Sequence, residues 1–470
     1  MRAAAATAVA SFLAFASLTA QTGAPGTNDA RARAIFKELI EINTTDSIGS
    51  TTKAADAMAV RLKAAGFPAA DVQVLGPDPR KGNLVLRWRG TSSTAVRKPL
   101  LLLAHLDVVE AKREDWSFDP FVFLEKDGFF YGRGTSDDKG MASQFVANLI
   151  RLKEEGYTPD RDLILALTAD EEGGNFNGVD WLVKNHRELI DAEFAINEGG
   201  NGNMRKGKYL TNEVQASEKV FQDFHLEVTN SGGHSSLPVK DNAIYHLSGG
   251  LARLAKFDFP VQLNEVTRAY FERSASAESD PKVAADMRAV ARATPDPAAA
   301  SRLSAAVPYW NSMMRTTCVA TRLAGGHANN ALPQTARAVV NCRIMPNEKP
   351  DDITATLIRV LADDKISVTP MAQPQLKTPS ALNEELLNAI EKTSVEFWPG
   401  VPVVPVMSAG ATDGSYLRNA GIPTYGHSGL AGEVNDSRIH GNDERIPVKS
   451  FYEGNEYLYR LVKMLCGGTS

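Results

Sequence analysis

The chain has 470 residues, too many for one ordinary hydrophobic core, so two domains are expected. Hydrophobic residues at 43% and charged residues at 23% exclude a disordered or fibrous chain. A formal net charge of -5 offers no basic face for nucleic acid, and no internal apolar stretch reaches the roughly 20 residues of a membrane helix.

At the N-terminus, Met1-Arg2 precedes an apolar run of Ala, Val, Phe and Leu that ends near Ala20-Gln21. One positive charge, a short hydrophobic segment and small exit residues read as a signal peptide. The protein is therefore expected to be exported, with residues 1–26 outside the fold and no integral membrane segment once the signal is removed. Two exits stay open: the small-x-small Ala14-Phe15-Ala16, or cleavage after Ala20 with Leu18 at a position that prefers a small residue.

Next, residues 83–89 (NLVLRWR) and 100–105 (LLLLAH) read as strands, the second apolar enough to be buried on both faces. Residues 141–155 have helical spacing, 163–168 (LILALT) form another buried strand, 180–189 are helical, and 194–197 form a short strand. Such alternation indicates an α/β layer on a mixed, largely parallel sheet. Near Ala216 the texture changes. Residues 221–230 alternate in period two, 242–257 are helical, and a long helical stretch runs to about residue 305. Strand-like runs follow at 317–323, 336–344 and 366–371; from residue 381 come a helix (NEELLNAIEKT) and an apolar strand (VPVVPVM). The simplest organisation is an α/β domain, residues 27–215 and 377–470, interrupted by an inserted α+β lid, residues 216–376. Cys318, Cys342 and Cys466 form no CxxC pair. Cys318 and Cys342 are expected either to pair across neighbouring strands or to be buried as small hydrophobes.

Five polar motifs stand out, several at the ends of predicted strands, where open α/β sheets place their ligands. His105-Leu106-Asp107 follows the LLLLA strand, with Asp107 placed to accept the second ring N–H of His105 and fix its tautomer. Gly132–Gly140 (GRGTSDDKG) is a glycine-bracketed loop with two adjacent carboxylates before a helix. Residues 170–174 (DEEGG) and 197–200 (NEGG) bring acids to two more strand ends, and residues 439–445 (IHGNDER) bring a late histidine. In isolation each motif reads as an ordinary polar loop. Together, two histidines, three separate carboxylates and a spare glutamate beside a ligand make an inventory for two zinc ions sharing a bridging carboxylate.

In this order the motifs resemble those of the dizinc family of aminoacylases, succinyl-diaminopimelate desuccinylase and the glutamate-releasing and yeast vacuolar carboxypeptidases. The resemblance spans the chain after the signal segment. It implies two Zn2+ per chain, with Co2+ or Mn2+ as substitutes. It implies that His105 and Glu198 bind one ion, Glu172 and His440 the other, and Asp137 both. Glu171 would be the general base, and a cis peptide would follow Asp137. In the lid, Ser231–Ser236 (SGGHSS) resembles the family's histidine motif, implying that His234 polarises the scissile carbonyl, often from a partner subunit in a homodimer formed through the lid. Arg343, assisted by Asn330, would grip the substrate carboxylate, and Gly410 and Thr412 fall in a segment resembling a substrate-side loop. The implied function is hydrolysis of small peptides as a carboxypeptidase or dipeptidase, with N-acyl-amino-acid deacylation close behind. An exported non-catalytic binding protein and a lidless aminopeptidase are the competing readings.

Overall fold

The computed structural model describes residues 26–92 and 96–467; the expected signal segment, up to Pro25, lies outside them. Ten strands form the main sheet. Its centre is made by Leu163–Thr168, Leu100–His105, Phe194–Asn197 and Thr424–Gly426, neighbours that run parallel. Leu100, Leu102 and Ala104 enter one core with the helices Thr27–Glu41, Lys139–Glu154 and Val448–Cys466. Leu101 and Leu103 enter a second core on the other face, with Val179 and Leu182 of Gly178–Asn185. This two-sided burial explains the uninterrupted apolar run at residues 100–104. The expected helix over 180–189 is two helices, Gly178–Asn185 and Arg187–Ile190, divided at His186.

The lid sheet has four antiparallel strands in the order Thr317–Gly325, Thr335–Ile344, Val220–Thr229, Ser367–Pro370. Val220, Phe224, Leu226 and Val228 alternate inward, onto a core with Ala243–Leu254 and Pro350–Leu361. Cys318 and Cys342 stand opposite each other on paired strands and form a disulfide.

The helical stretch expected up to residue 305 is broken into Glu265–Ala277, Pro281–Val290, Pro297–Ala306 and Pro308–Met314. A proline opens each of the last three, where its missing N–H costs no helical bond. These helices do not cover the lid sheet. They bury Phe271, Met287 and Leu303 against Val404, Val406 and Met407 of the strand Val403–Ser408, which belongs to the main sheet.

Where the chain first enters the lid, one residue separates the two sheets. The main-sheet strand Lys208–Glu218 ends where the lid strand Val220–Thr229 begins, with Lys219 between them. Lys219 is buried and donates to the Arg315 carbonyl at 2.7 Å. Glu218, fully buried, pairs with Arg418 and accepts from Thr412 Oγ1 at 2.7 Å and Gln215 Nε2 at 2.9 Å.

Candidate metal centre

Three strands of the main sheet end side by side and deliver His105, the Glu171-Glu172 pair and Glu198 to one edge. Asp137 comes from the loop before the helix Lys139–Glu154, and His440 from the loop before the strand Arg445–Pro447. His105 Nε2 lies 2.8 Å from Asp137 Oδ1, and His440 Nε2 lies 3.2 Å from Asp137 Oδ2 and 2.9 Å from Glu172 Oε1. Ligand atoms of His105, Asp137 and Glu198 lie within 4.8 Å of one another, and so do those of Asp137, Glu172 and His440. Asp137 belongs to both groups and turns one oxygen to each histidine. The five residues named from sequence as ligands are thus brought together.

The electrostatics show what such a cluster needs. Burial, reinforced by neighbouring acids, pushes the carboxyl of Glu171 up to about 9 and that of Glu172 up to about 7. Burial and then Asp137 push Glu198 well up. Against its burial, Asp137 is held far below the usual carboxylate range by bonds to His105 and His440. The Asp137 bond is the largest cause raising His440, to about 9. Acids packed this closely ionise together only beside a strong positive charge, and a divalent cation supplies it. Nitrogen and oxygen donors, converging in two triads about one shared carboxylate, fit that demand.

Asp107 has a further role that was not expected. The Nδ1 of His105 meets the backbone carbonyl of Asp107 at 3.0 Å, while the carboxylate stands 3.6 Å away, beyond hydrogen-bond range. That carboxylate accepts the backbone N–H groups of Glu171 at 3.1 Å and Glu172 at 2.9 Å. An acceptor aimed at two successive amides is better placed to fix the acidic loop than to reach a ring on its own strand.

Other residues hold the centre that were given no role from the sequence. Asp170 has a left-handed backbone, φ 57°, and its buried carboxylate takes Lys81 Nζ at 2.5 Å. Asn83 Oδ1 accepts from Ala169 N at 2.9 Å, and Asn177 Nδ2 donates to the Asp170 carbonyl at 3.1 Å and to Asp413 at 2.6 Å. The Asp137 loop is organised from the far end of the chain. Glu444 accepts from the N–H groups of Gly134, Ser136 and Asp137 at 3.0, 2.7 and 3.2 Å, while Arg133 bonds Glu444 at 2.8 Å and the Gly441 carbonyl at 3.1 Å. Arg133 and Glu444 thereby clamp the loops of Asp137 and His440 to each other. His440 has φ 61°, in the left-handed region, and the Asp137–Asp138 peptide is cis.

The lid residues form a separate group. His234 is exposed, bonds Ser236 through Nδ1 at 2.7 Å, and lies in a short ribbon paired with Ala331, next to Asn330. Among the described residues no hydrogen bond or ion pair joins His234 to the metal ligands. Arg343 reaches across from the lid, donating to the Ala409 carbonyl at 2.9 Å, with its guanidinium 4.8 Å from the Phe221 ring centre. It therefore lies beside the Gly410 loop. Gly410 is exposed, whereas the Thr412 hydroxyl is engaged by buried Glu218, so Thr412 holds the loop in place.

Residues 101–464 match the model of peptidase family M20/M25/M40. The chain is 28% identical over 391 residues, 81% of its length and 74% of the relative's, to "Probable carboxypeptidase S-like 2" of Dictyostelium discoideum. It is 29% identical over 379 residues, 78% of its length and 74% of the relative's, to the human "N-fatty-acyl-amino acid synthase/hydrolase PM20D1". Its fold is similar to the M20 family metallo-carboxypeptidase Sso-CP2 from Sulfolobus solfataricus, with a TM-score of 0.65 at 18% identity over 92% of this chain and 99% of that one. It is also similar to the Bacillus subtilis YXEP protein, described as a dinuclear metal binding peptidase, with a TM-score of 0.58 at 11% identity over 94% and 99%. With its ligand groups at the strand ends and the family model spanning most of its length, the chain belongs to peptidase family M20/M25/M40 and is a metal-dependent hydrolase.

Proposed function

We propose that the protein is an exported dizinc hydrolase that cleaves the amide bond of small substrates carrying a free carboxylate, short peptides first. The observation that carries this reading is Asp137, shared between two ligand triads, with the spare Glu171 on the same loop as Glu172. When bound, the ions supply Lewis acidity to the scissile carbonyl and to the attacking water. His105 and Glu198 would hold one ion, Glu172 and His440 the other, with Asp137 shared between them. Glu171 takes the proton of the attacking water and returns it to the leaving nitrogen. Arg343, whose planar fork matches a carboxylate, grips the far end of the substrate with Asn330 assisting. His234 donates to the carbonyl oxygen as charge develops there. Its exposure on the lid suits a role in the site of a second subunit.

Deacylation of N-acyl amino acids is the second reading, favoured by the similarity to the human N-fatty-acyl-amino acid synthase/hydrolase. The description of the Bacillus subtilis neighbour as a dinuclear metal binding peptidase supports two ions. The signal-like N-terminus and the Cys318–Cys342 disulfide both suit an oxidising compartment outside the cytosol.

The test combines elemental analysis with turnover on a panel of dipeptides and N-acyl amino acids. Wild type should hold near two zinc ions per chain. Glu171→Gln should keep them while turnover falls by at least about a hundredfold. Full activity in Glu171→Gln would remove that residue as the base, and a folded wild type that takes up no metal would overturn the hydrolase mechanism.

A further inference from the structure

A cavity of about 720 Å³ adjoins the metal centre. Ser136 and Ile439 form part of its wall, each one residue from a ligand, Asp137 and His440. The helical segment packed on the main sheet contributes Tyr270 and Tyr309, and the strand Lys208–Glu218 contributes Glu213. Val214 faces the main core, so alternation along that strand turns Glu213 to the other face, toward the cavity.

Glu213 is the unsatisfied charge of this wall. Among the described residues it has no ion pair, and only the Asn203 side chain favours its ionised form. Burial accordingly pushes its carboxyl up to about 7, and its charge is felt at the phenols of both Tyr270 and Tyr309. The other acids here are engaged. Asp436 pairs with Arg438 at 3.0 Å and with Arg445, and Glu433 accepts the N–H groups of Lys206 and Gly207 at 2.8 and 2.6 Å. Arg205, exposed on the neighbouring hairpin, lies outside ion-pair range of Glu213.

We propose that this cavity is a subsite for an ammonium or guanidinium group on a flexible stem, with Glu213 as its counter-charge and Tyr270 and Tyr309 as flanking rings. A cation there relieves the cost of the desolvated carboxylate and meets the electron-rich faces of the rings. Val307 and Leu210 give the stem an apolar wall. Resting on the hydrolase reading above, this assigns the enzyme substrates with a basic side chain.

Two measurements test it. In calorimetric titration of the full-length mature protein, n-pentylammonium should bind wild type about tenfold or more tighter than Glu213→Gln, with n-pentanol binding neither detectably. In turnover, lysine-containing dipeptides should be preferred over norleucine analogues by about tenfold or more, and Glu213→Gln should erase that preference. Equal n-pentylammonium affinity in the two proteins, or norleucine cleaved as well as lysine by wild type, would overturn the subsite. If no carboxylate-bearing amide is cleaved at all, the hydrolase reading fails, and the titration still decides the cavity.

Discussion

Replacing Lys81 by methionine should cost far more than its ordinary surroundings in the sequence suggest. Lys81 is 6% exposed and Asp170 fully buried, with 2.5 Å between their charged atoms. The second partner, Asp46 at 2.6 Å, is 57% exposed, so its share is a few tenths of a kcal/mol. Burial pushes the Asp170 carboxyl up while Lys81 pulls it down, and burial is the larger effect. The pair is therefore a poor source of net stability, but breaking it strands a buried carboxylate at a cost of about 3–5 kcal/mol. Asp170 keeps one acceptor bond, from Phe176 N at 3.1 Å, and can take up a proton, which places Lys81→Met near the lower end, about 3 kcal/mol. Adding Asp170→Asn removes the stranded charge, so the double variant should recover about 2 kcal/mol of the loss. Urea unfolding midpoints of the four proteins, read by far-UV circular dichroism at constant slope, supply the cycle. A Lys81→Met protein within about 0.5 kcal/mol of wild type, or a double variant no more stable than the single, would refute the reasoning.

Two further outcomes follow from other buried groups. His427 is fully buried, facing Tyr457 Oη at 2.7 Å and the Glu213 carbonyl at 2.9 Å, and burial lowers it from 6.5 to about 4. Its contribution is present above pH 6.5 and is lost as the pH falls toward 4, a slope worth about 3 kcal/mol that His427→Gln should flatten in metal-free protein. An identical acid profile in the variant would count against the buried neutral ring. The Cys318–Cys342 disulfide closes a separation of 24 residues, so replacing both by alanine should destabilise the lid by about 3 kcal/mol. Amide exchange in the strand Thr335–Ile344 should rise accordingly, and unchanged exchange would assign the bond no stabilising role.

The sequence showed the ligands more readily than their supports, for a physical reason. The motifs of His105, Glu172 and Glu198 begin at or just after apolar runs, so each motif and its strand are read in one stretch of text. Lys81 and Asp170 are 89 residues apart, and Arg133 and Glu444 are 311 apart; no local pattern announces such pairs. The bonds of the Asp107 carboxylate to the Glu171 and Glu172 amides were not foreseen, because spacing tells which side of a strand it occupies, not which of several donors it takes. Helical periodicity was visible between residues 257 and 314, but an amphipathic face does not name its partner, and here that partner is Val404 and Met407 of the main sheet. Pro281, Pro297 and Pro308 mark the breaks in that stretch and could have been used to divide it. The two routes open to Cys318 and Cys342 could be decided only by strand register.

The one-residue junction at Lys219 makes the lid strand a lever. From Val220 to Thr229 the strand is roughly 30 Å long at about 3.4 Å per residue. A turn of roughly 10° about Lys219 would sweep its far end, just before the His234 ribbon, through roughly 5 Å by that same length. That is more than the reach of a hydrogen bond. The aim of a histidine at the tip is thus set in part at the fulcrum, by the buried bond from Lys219 to Arg315 and the grip of Arg418 on Glu218, and in part by the bond from Arg343 to the Ala409 carbonyl.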